Sequence, residues 1–413
     1  MNDERTITLF PRGVVTPPPS KSLSHRAAIC SALAGGVDRI ENLGGSEDID
    51  ATIAGISALG LTERGLGPKC RTDRVRVVDC NESGSTLRFL MPAAALDDAP
   101  ALFKGRGRLL DRPLDAYAGI FAAAGATFRR ERDGILVRGP LRGGSYSLPG
   151  DVSSQFISGL LFALPLLAED SEIRVLTPLE SSGYVDMTVD VMRRFGVTVV
   201  ADGSVYHVRG RQRYRHASYR VEADYSQAAF FLAASALGCD VGVAGLNPHS
   251  IQGDRAILSI LREMGADVVW SGNDNDGRVV SVRAGGMLPV TVDARETPDL
   301  VPPVAVLCCF CGGTSGIVNA GRLRLKESDR LRALAAELGR LGADVRETDD
   351  SLSISGADRL RGGRVDAWGD HRIAMAMAVA AIRCEEPVRL TGWESVNKSY
   401  PGFWRDFEGE RSS

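Results

Sequence analysis

The chain has 413 residues, 44% of them apolar, with 49 basic against 52 acidic side chains and a formal net charge of −3. That length allows two or three domains with a sizeable core, and the near-neutral balance excludes a protein that holds nucleic acid through an overall basic field. No apolar run is long enough for a membrane span and the start MNDERTITLF is too charged for a signal peptide, so the expected compartment is the cytoplasm, with no membrane partner.

The first element follows three prolines, Pro17 to Pro19, and opens at Ser20, a favoured N-cap; a helix is predicted to begin between Ser20 and Leu23. Lys21, His25 and Arg26 then crowd the end of the helix that is already positive. The arrangement recurs down the chain. In NESGSTLR, the residues Ser83, Gly84, Ser85 and Thr86 precede an apolar helix with Arg88 just inside it, and Ser153, Ser154 and Gln155 open another. Asp299 follows a proline where the apolar run VPPVAVLCCF starts. In LKESDRLRAL, the residues Lys326, Glu327 and Arg330 are expected to share a first turn, with 326 and 330 on one face. In WGDHRIAMA, Asp370 is the predicted N-cap, followed by His371 and Arg372.

Free backbone N–H groups at helix starts attract anions, and added cations there are unfavourable without one. The set therefore implies ligands with concentrated negative charge, such as phosphates and carboxylates. A nucleotide P-loop is not indicated, because G-x-x-x-x-G-K-[ST] does not occur. Asp299 and Glu327 stand among the cations and suit groups that exchange a proton. An ordinary N-cap remains the other reading of Asp299. Cys308, Cys309 and Cys311 include a C-x-x-C spacing without a second Cys or His pair, and are read as small hydrophobes of a core helix rather than a metal site.

One phrase repeats. A helical pattern ends at Gly60, Gly125, Gly196, Gly265 and Gly342, and a β-prone stretch follows each, at intervals of about 70 residues. Shorter strand-like runs such as YHVRG, VVSVRA and SLSISG lie between them. The spacing predicts about six α+β units grouped into two lobes.

The ordered series SKSLSHR, NESGSTLR, DRP, SSQF, SSGY, SIQGD, TPDL, LKESDRL, GDHRIAMA and NKSYPGF resembles the EPSP synthase (3-phosphoshikimate 1-carboxyvinyltransferase) family, from about Thr16 to Phe403. The resemblance implies an α+β (α/β) fold of six βαβαββ-type repeats, three per lobe, in the two-lobed enolpyruvyl transferase arrangement of inside-out α/β barrels. It implies one lobe of residues 1–15 plus 225–413 and another of 16–224, with ligands closing between them. The implied reaction moves the enolpyruvyl group of phosphoenolpyruvate to the 5-hydroxyl of 3-phosphoshikimate, with no metal or organic cofactor, in a monomer.

Carried onto matching positions, the resemblance makes Asp299, Glu327, Lys21 and Lys326 catalytic. Asp299 would handle the 5-hydroxyl proton and Glu327 would protonate the methylene carbon. Lys21, Ser22, Arg26, Ser153, Ser154, Gln155, Ser181, Tyr184, Asp299, Arg322 and Lys326 would hold 3-phosphoshikimate. Lys21, Gly84, Ser85, Arg112, Gln155, Glu327, Arg330, His371, Arg372 and Lys398 would hold phosphoenolpyruvate. The chain departs from the family pattern at Glu82, where Asn is usual, at Arg322, where Asn or an acid is usual, and at SSGY, which lacks a cation. Two other readings are the sister transferase acting on UDP-N-acetylglucosamine, whose mobile-loop cysteine is missing from FKGRGRLLDRP, and a non-catalytic anion-binding protein on the same scaffold.

Overall fold

Helices and strands alternate along the whole chain in the computed structural model, which describes residues 4–36, 39–62, 74–272, 277–283 and 285–409. The chain divides into two units, residues 21–221 and residues 1–20 with 222–413. The junctions lie a few residues from the expected 15/16 and 224/225. The physical reason is that Pro17 to Ser20 stay tied to the returning strand: Ser20 N–H donates to the Glu222 carbonyl at 2.7 Å and Asp224 N–H to that of Pro18 at 2.9 Å.

In the 21–221 unit the helices are α1 (Lys21–Leu33), α2 (Glu47–Ala58), α3 (Gly84–Ala94), α4 (Asp115–Ala123), α5 (Ser154–Ala163) and α6 (Ser182–Arg194). Strands Arg76–Asp79 and Ala101–Lys104 pair in parallel around α3, and Thr127–Glu131 with Gly134–Arg138 complete that sheet as a hairpin. Ser145–Leu148 and Ser171–Val175 do the same around α5, finished by Val199–Asp202 and Val205–Val208. Each is a βαβαββ repeat. For the repeat holding α1 and α2, the parallel partner of Ile40–Glu41 is Tyr219–Arg220, supplied by the far end of the unit.

The other unit carries α7 (Tyr225–Ala236), α8 (Ile257–Glu263), α9 (Val301–Cys308), α10 (Arg330–Leu341), α11 (His371–Ala380) and α12 (Phe403–Glu408). Its parallel pairs are Gly13–Val15 with Val241–Ala244, Thr291–Asp293 with Thr314–Val318, and Gly363–Asp366 with Val388–Thr391. Two of its strands, Gly13–Val15 and Glu4–Ile7, come from the start of the chain.

Within a repeat the two helices differ in kind. Helices α7, α9 and α11 are buried on every face and pack on one another, as α3 packs on α5. A helix apolar all round belongs in a core. Partners such as α6 and α10 bury one stripe and turn the opposite face to solvent, Arg330 and Glu337 being the charged residues that α10 buries. Close approach is bought with glycine: a Cβ on Gly159 of α5 would lie 2.3 Å from the Arg88 carbonyl and 2.1 Å from the Tyr117 hydroxyl.

All five repeat glycines adopt positive φ, from +62° at Gly60 to +103° at Gly342. That is the left-handed turn that ends a helix and is cheap only without a side chain. Strands follow Gly125, Gly196, Gly265 and Gly342; from residue 63 on, the stretch after Gly60 lies outside the described residues. Cys308, Cys309 and Cys311 are buried with free thiols. Among the described residues no His, Cys, Asp and Glu cluster is placed to hold a metal ion, and no helix is long and apolar enough to cross a membrane.

Candidate active site

The fully buried helices present their N-termini to the motifs read from the sequence. In the 21–221 unit, Ser83 caps α3, accepting from Thr86 N–H at 3.2 Å, and Ser153 caps α5, accepting from Gln155 N–H at 3.3 Å. These two ends meet through Gln155. Its amide nitrogen donates to Ser85 Oγ at 3.0 Å, and its Oε1 accepts from Arg88 Nη1 at 2.9 Å. Gly84 completes the cluster by lacking a side chain: a Cβ there would meet Arg88 Nη1 at 2.8 Å and Arg112 Nη1 at 3.0 Å. Two guanidinium groups thus converge over a helix N-terminus, an arrangement that favours an anion.

Lys21 opens α1 and donates to Asp48 Oδ2 at 2.9 Å. Behind it His25 is fully buried, its Nδ1 2.8 Å from Thr52 Oγ1. Burial first, then Lys21 and Arg26, pushes this imidazole well below its ordinary pKa, so His25 is a neutral core residue. Arg26, 2% exposed, spends its guanidinium inside the unit, on Thr188 Oγ1 at 2.8 Å and the carbonyls of Ser22 and Tyr184 at 2.7 and 2.8 Å. It joins α1 to the first turn of α6, which Ser181 opens from a left-handed backbone at φ +57°. Glu180 N–H donates to the Gly150 carbonyl at 3.1 Å, drawing the 181 turn beside the segment leading to Ser153 and Ser154.

The other unit assembles the predicted acids and cations around one guanidinium. Arg330, with 2% of its side chain exposed, donates to Asp299 Oδ1 at 3.0 Å, Glu327 Oε2 at 2.7 Å and Asp370 Oδ2 at 2.8 Å. Arg372 donates to the second Asp299 oxygen at 2.9 Å and to Ser226 Oγ at 3.0 Å. Lys326 Nζ stands 4.0 Å from Asp299. Burial works against ionising Asp299, yet Arg372, Lys326 and Arg330 outweigh it and hold the carboxyl well below the usual range. Burial pulls the Lys326 ammonium down to about 8, opposed by Asp299 and helped by Arg330 and Arg322.

Asp299 is therefore no N-cap. It lies in a 3-10 turn, Pro298–Leu300, ahead of α9, and aims at Arg330 and Arg372. The expected shared first turn of Lys326, Glu327 and Arg330 is also corrected. Gly321–Leu325 form a 3-10 turn, Lys326 is extended at φ −84° and ψ −159°, and α10 starts at Arg330 because Asp329 caps it, accepting from Arg332 N–H at 3.1 Å. Asp370 caps α11 as predicted, accepting from Arg372 N–H at 2.9 Å.

His371 is buried with Nδ1 3.9 Å from Asp370, and Lys398 is buried at the end of the turn Trp393–Lys398. Arg322 donates to the Arg295 carbonyl at 2.8 Å, and Glu82 lies against Gly107, whose absent Cβ would fall 2.2 Å from its Oε1. Sequence reasoning passed over Ser226, Asp48 and the Arg88–Gln155 bond as parts of the site. Ser226 was findable, because ADYSQAAFF has the same short polar start before an apolar run as the other motifs.

A family model described as EPSP synthase (3-phosphoshikimate 1-carboxyvinyltransferase) matches residues 11–407. The 3-phosphoshikimate 1-carboxyvinyltransferase of Clostridium novyi is 44% identical, over 96% of this chain and 94% of that protein. The one of Clostridium kluyveri is 45% identical at the same coverage. Among solved structures, an EPSP synthase from Acinetobacter baumannii superposes with a TM-score of 0.77 at 24% identity, over 98% of this chain and 97% of that one. The enolpyruvyl transferase NikO from Streptomyces tendae gives 0.73 at 18%, over 98% and 96%. Both structural likenesses are of fold.

Proposed function

We propose that this chain, which belongs to the EPSP synthase (3-phosphoshikimate 1-carboxyvinyltransferase) family, transfers the enolpyruvyl group of phosphoenolpyruvate to the 5-hydroxyl of 3-phosphoshikimate and releases phosphate. The observation that carries the reading is the Asp299–Arg330–Glu327–Arg372 cluster with Lys326 beside it, in a relative of named transferases at 44% identity. The sister reaction on UDP-N-acetylglucosamine has no comparable support. On this reading the protein acts on two small metabolites, as a monomer in the cytoplasm.

The chemistry needs a proton at the methylene carbon of phosphoenolpyruvate while the 5-oxygen attacks the neighbouring carbon. Glu327 supplies that proton, and the 5-hydroxyl proton passes to Asp299, with Lys326 as its neighbour. The tetrahedral adduct then loses phosphate and returns a methyl proton to Glu327, which re-forms the C=C bond and leaves the new enol ether on the 5-oxygen. Lys21, Gly84, Ser85, Arg112, Gln155, Glu327, Arg330, His371, Arg372 and Lys398 serve phosphoenolpyruvate. Lys21, Ser22, Arg26, Ser153, Ser154, Gln155, Ser181, Tyr184, Asp299, Arg322 and Lys326 serve 3-phosphoshikimate. Fixed cations keep carboxylates tolerable beside phosphates, and holding two charged reactants together removes much of the entropic barrier. Phosphate release by the purified protein with both substrates tests the reading. Release that persists without 3-phosphoshikimate would mark a phosphatase and refute it.

A further inference from the structure

Helix α10 touches the turn before α11 twice. At its first residue, Arg330 takes Asp370, the cap of α11. Seven residues on, hence on the same helix face, Glu337 has a side chain with no exposure. Its Oε1 accepts from the Trp368 indole N–H at 2.6 Å, and its Oε2 from the Asp366 backbone N–H at 3.1 Å. Arg340, more than half exposed, donates to both oxygens from outside. The turn so gripped is an awkward one. Trp368 sits at φ +55°, a left-handed backbone that a bulky residue adopts only when its surroundings impose it. Two residues later the chain delivers Asp370, His371 and Arg372; Asp370 N–H donates to the Ala367 carbonyl at 2.9 Å, and Arg372 reaches Asp299.

We infer that Glu337 is a positioning residue for phosphoenolpyruvate: by holding Trp368 in its left-handed turn it sets where His371 and Arg372 stand. The claim rests on the function proposed above, which assigns those two residues to that substrate. Glu337 touches no substrate itself. A buried carboxylate serving only to anchor α10 would affect stability alone, whereas this one grips the two residues that fix the start of the anion-binding helix.

The test is steady-state kinetics of Glu337→Gln and of Trp368→Phe, which removes the indole N–H together with the five-membered ring that carries it and keeps one aromatic ring in place. Each is expected to raise KM for phosphoenolpyruvate about fivefold or more and to leave KM for 3-phosphoshikimate within about twofold. The double variant is expected to lose less than the two single effects multiplied, because both substitutions weaken the Glu337–Trp368 contact. If Glu337→Gln misfolds, Trp368→Phe alone decides. Unchanged KM for phosphoenolpyruvate with a lowered Tm, equal shifts for both substrates, or multiplying effects in the double variant would overturn the inference. A wild-type protein that releases no phosphate defeats the transferase reading instead. The positioning claim is then read from phosphoenolpyruvate binding by calorimetry, where it stands if the variants bind more weakly than wild type and falls if they bind equally.

Discussion

Replacing Arg330 with Met keeps most of the side chain's length and removes its charge. Three carboxylates then lose a shared partner: Asp370, with no side-chain exposure, Glu327 at 12% and Asp299 at 21%. Arg372 and Lys326 still face Asp299, but Asp370 and Glu327 lose the guanidinium that neutralised them. Breaking a buried pair from one side costs about 3–5 kcal/mol, because a desolvated charge is left behind. At roughly 2–4 °C per kcal/mol for a domain of this size, the Tm of the unit should fall by about 6–20 °C. The pH dependence identifies the cause. A carboxyl stripped of its cation in a buried site has a folded-state pKa above its unfolded value, so its penalty is full above that raised pKa and fades as pH falls toward the unfolded value near 4. Urea denaturation of wild type and Arg330→Met at pH 5.5 and pH 8 measures both effects. The deficit should be smaller at pH 5.5. A loss under about 1 kcal/mol at pH 8, or a larger deficit at the lower pH, would refute the view of Arg330 as the counterion of all three acids.

Three further outcomes are expected. Asp299→Ala and Glu327→Gln should each lower the rate of phosphate release about 10²-fold or more, the usual weight of a proton-transfer group, and stopped assays at saturating substrates decide it. The Lys326 ammonium, drawn down to about 8 chiefly by burial, should give the rate an alkaline limb near that pH, and Lys326→Arg should move the limb upward. The same depression is a folding cost that is full below pH 8 and relieved between there and the unfolded value near 10.4, as the folded state sheds its proton first. Gly159→Ala would drive a methyl into the Arg88 carbonyl and the Tyr117 hydroxyl, which now donates to that carbonyl at 2.7 Å. Loss of soluble protein or a Tm lower by several degrees is expected, and a thermal melt matching wild type would count against close α3–α5 contact.

Local signals were legible where they are set by a few neighbouring residues. The left-handed glycines follow from helix C-cap chemistry, and each of the four fully described cases is followed by a strand. Ser83, Ser153 and Asp370 cap the helices their motifs introduce. The start of α10 was not legible, because LKESDRL offers competing caps: Ser328 and Asp329 are both good N-caps, and the sequence alone does not say that Ser328 turns instead to Asp370 at 3.1 Å. Strand partners drawn from distant parts of the chain, such as Glu4–Ile7 against Val388–Thr391, leave no local trace either.

The deeper gap concerns charge compensation. A cation at a helix N-terminus calls for negative charge beside it, and Arg88 and Arg112 converge above Gly84 at the start of α3. Arg330 and Arg372 answer the same rule differently. The single carboxylate of Asp299, 31 residues from Arg330 and 73 from Arg372, and that of Asp370, 40 residues from Arg330, already balance much of their charge. An ion pair between distant residues looks, in one dimension, the same as two separate solvated charges. What distinguishes them is burial, since a guanidinium 2% exposed cannot remain ionised without partners at hydrogen-bond distance. The carboxylates therefore keep the cations charged and fixed before any substrate arrives, and under the reaction proposed above Asp299 has a second job, taking a proton once it has.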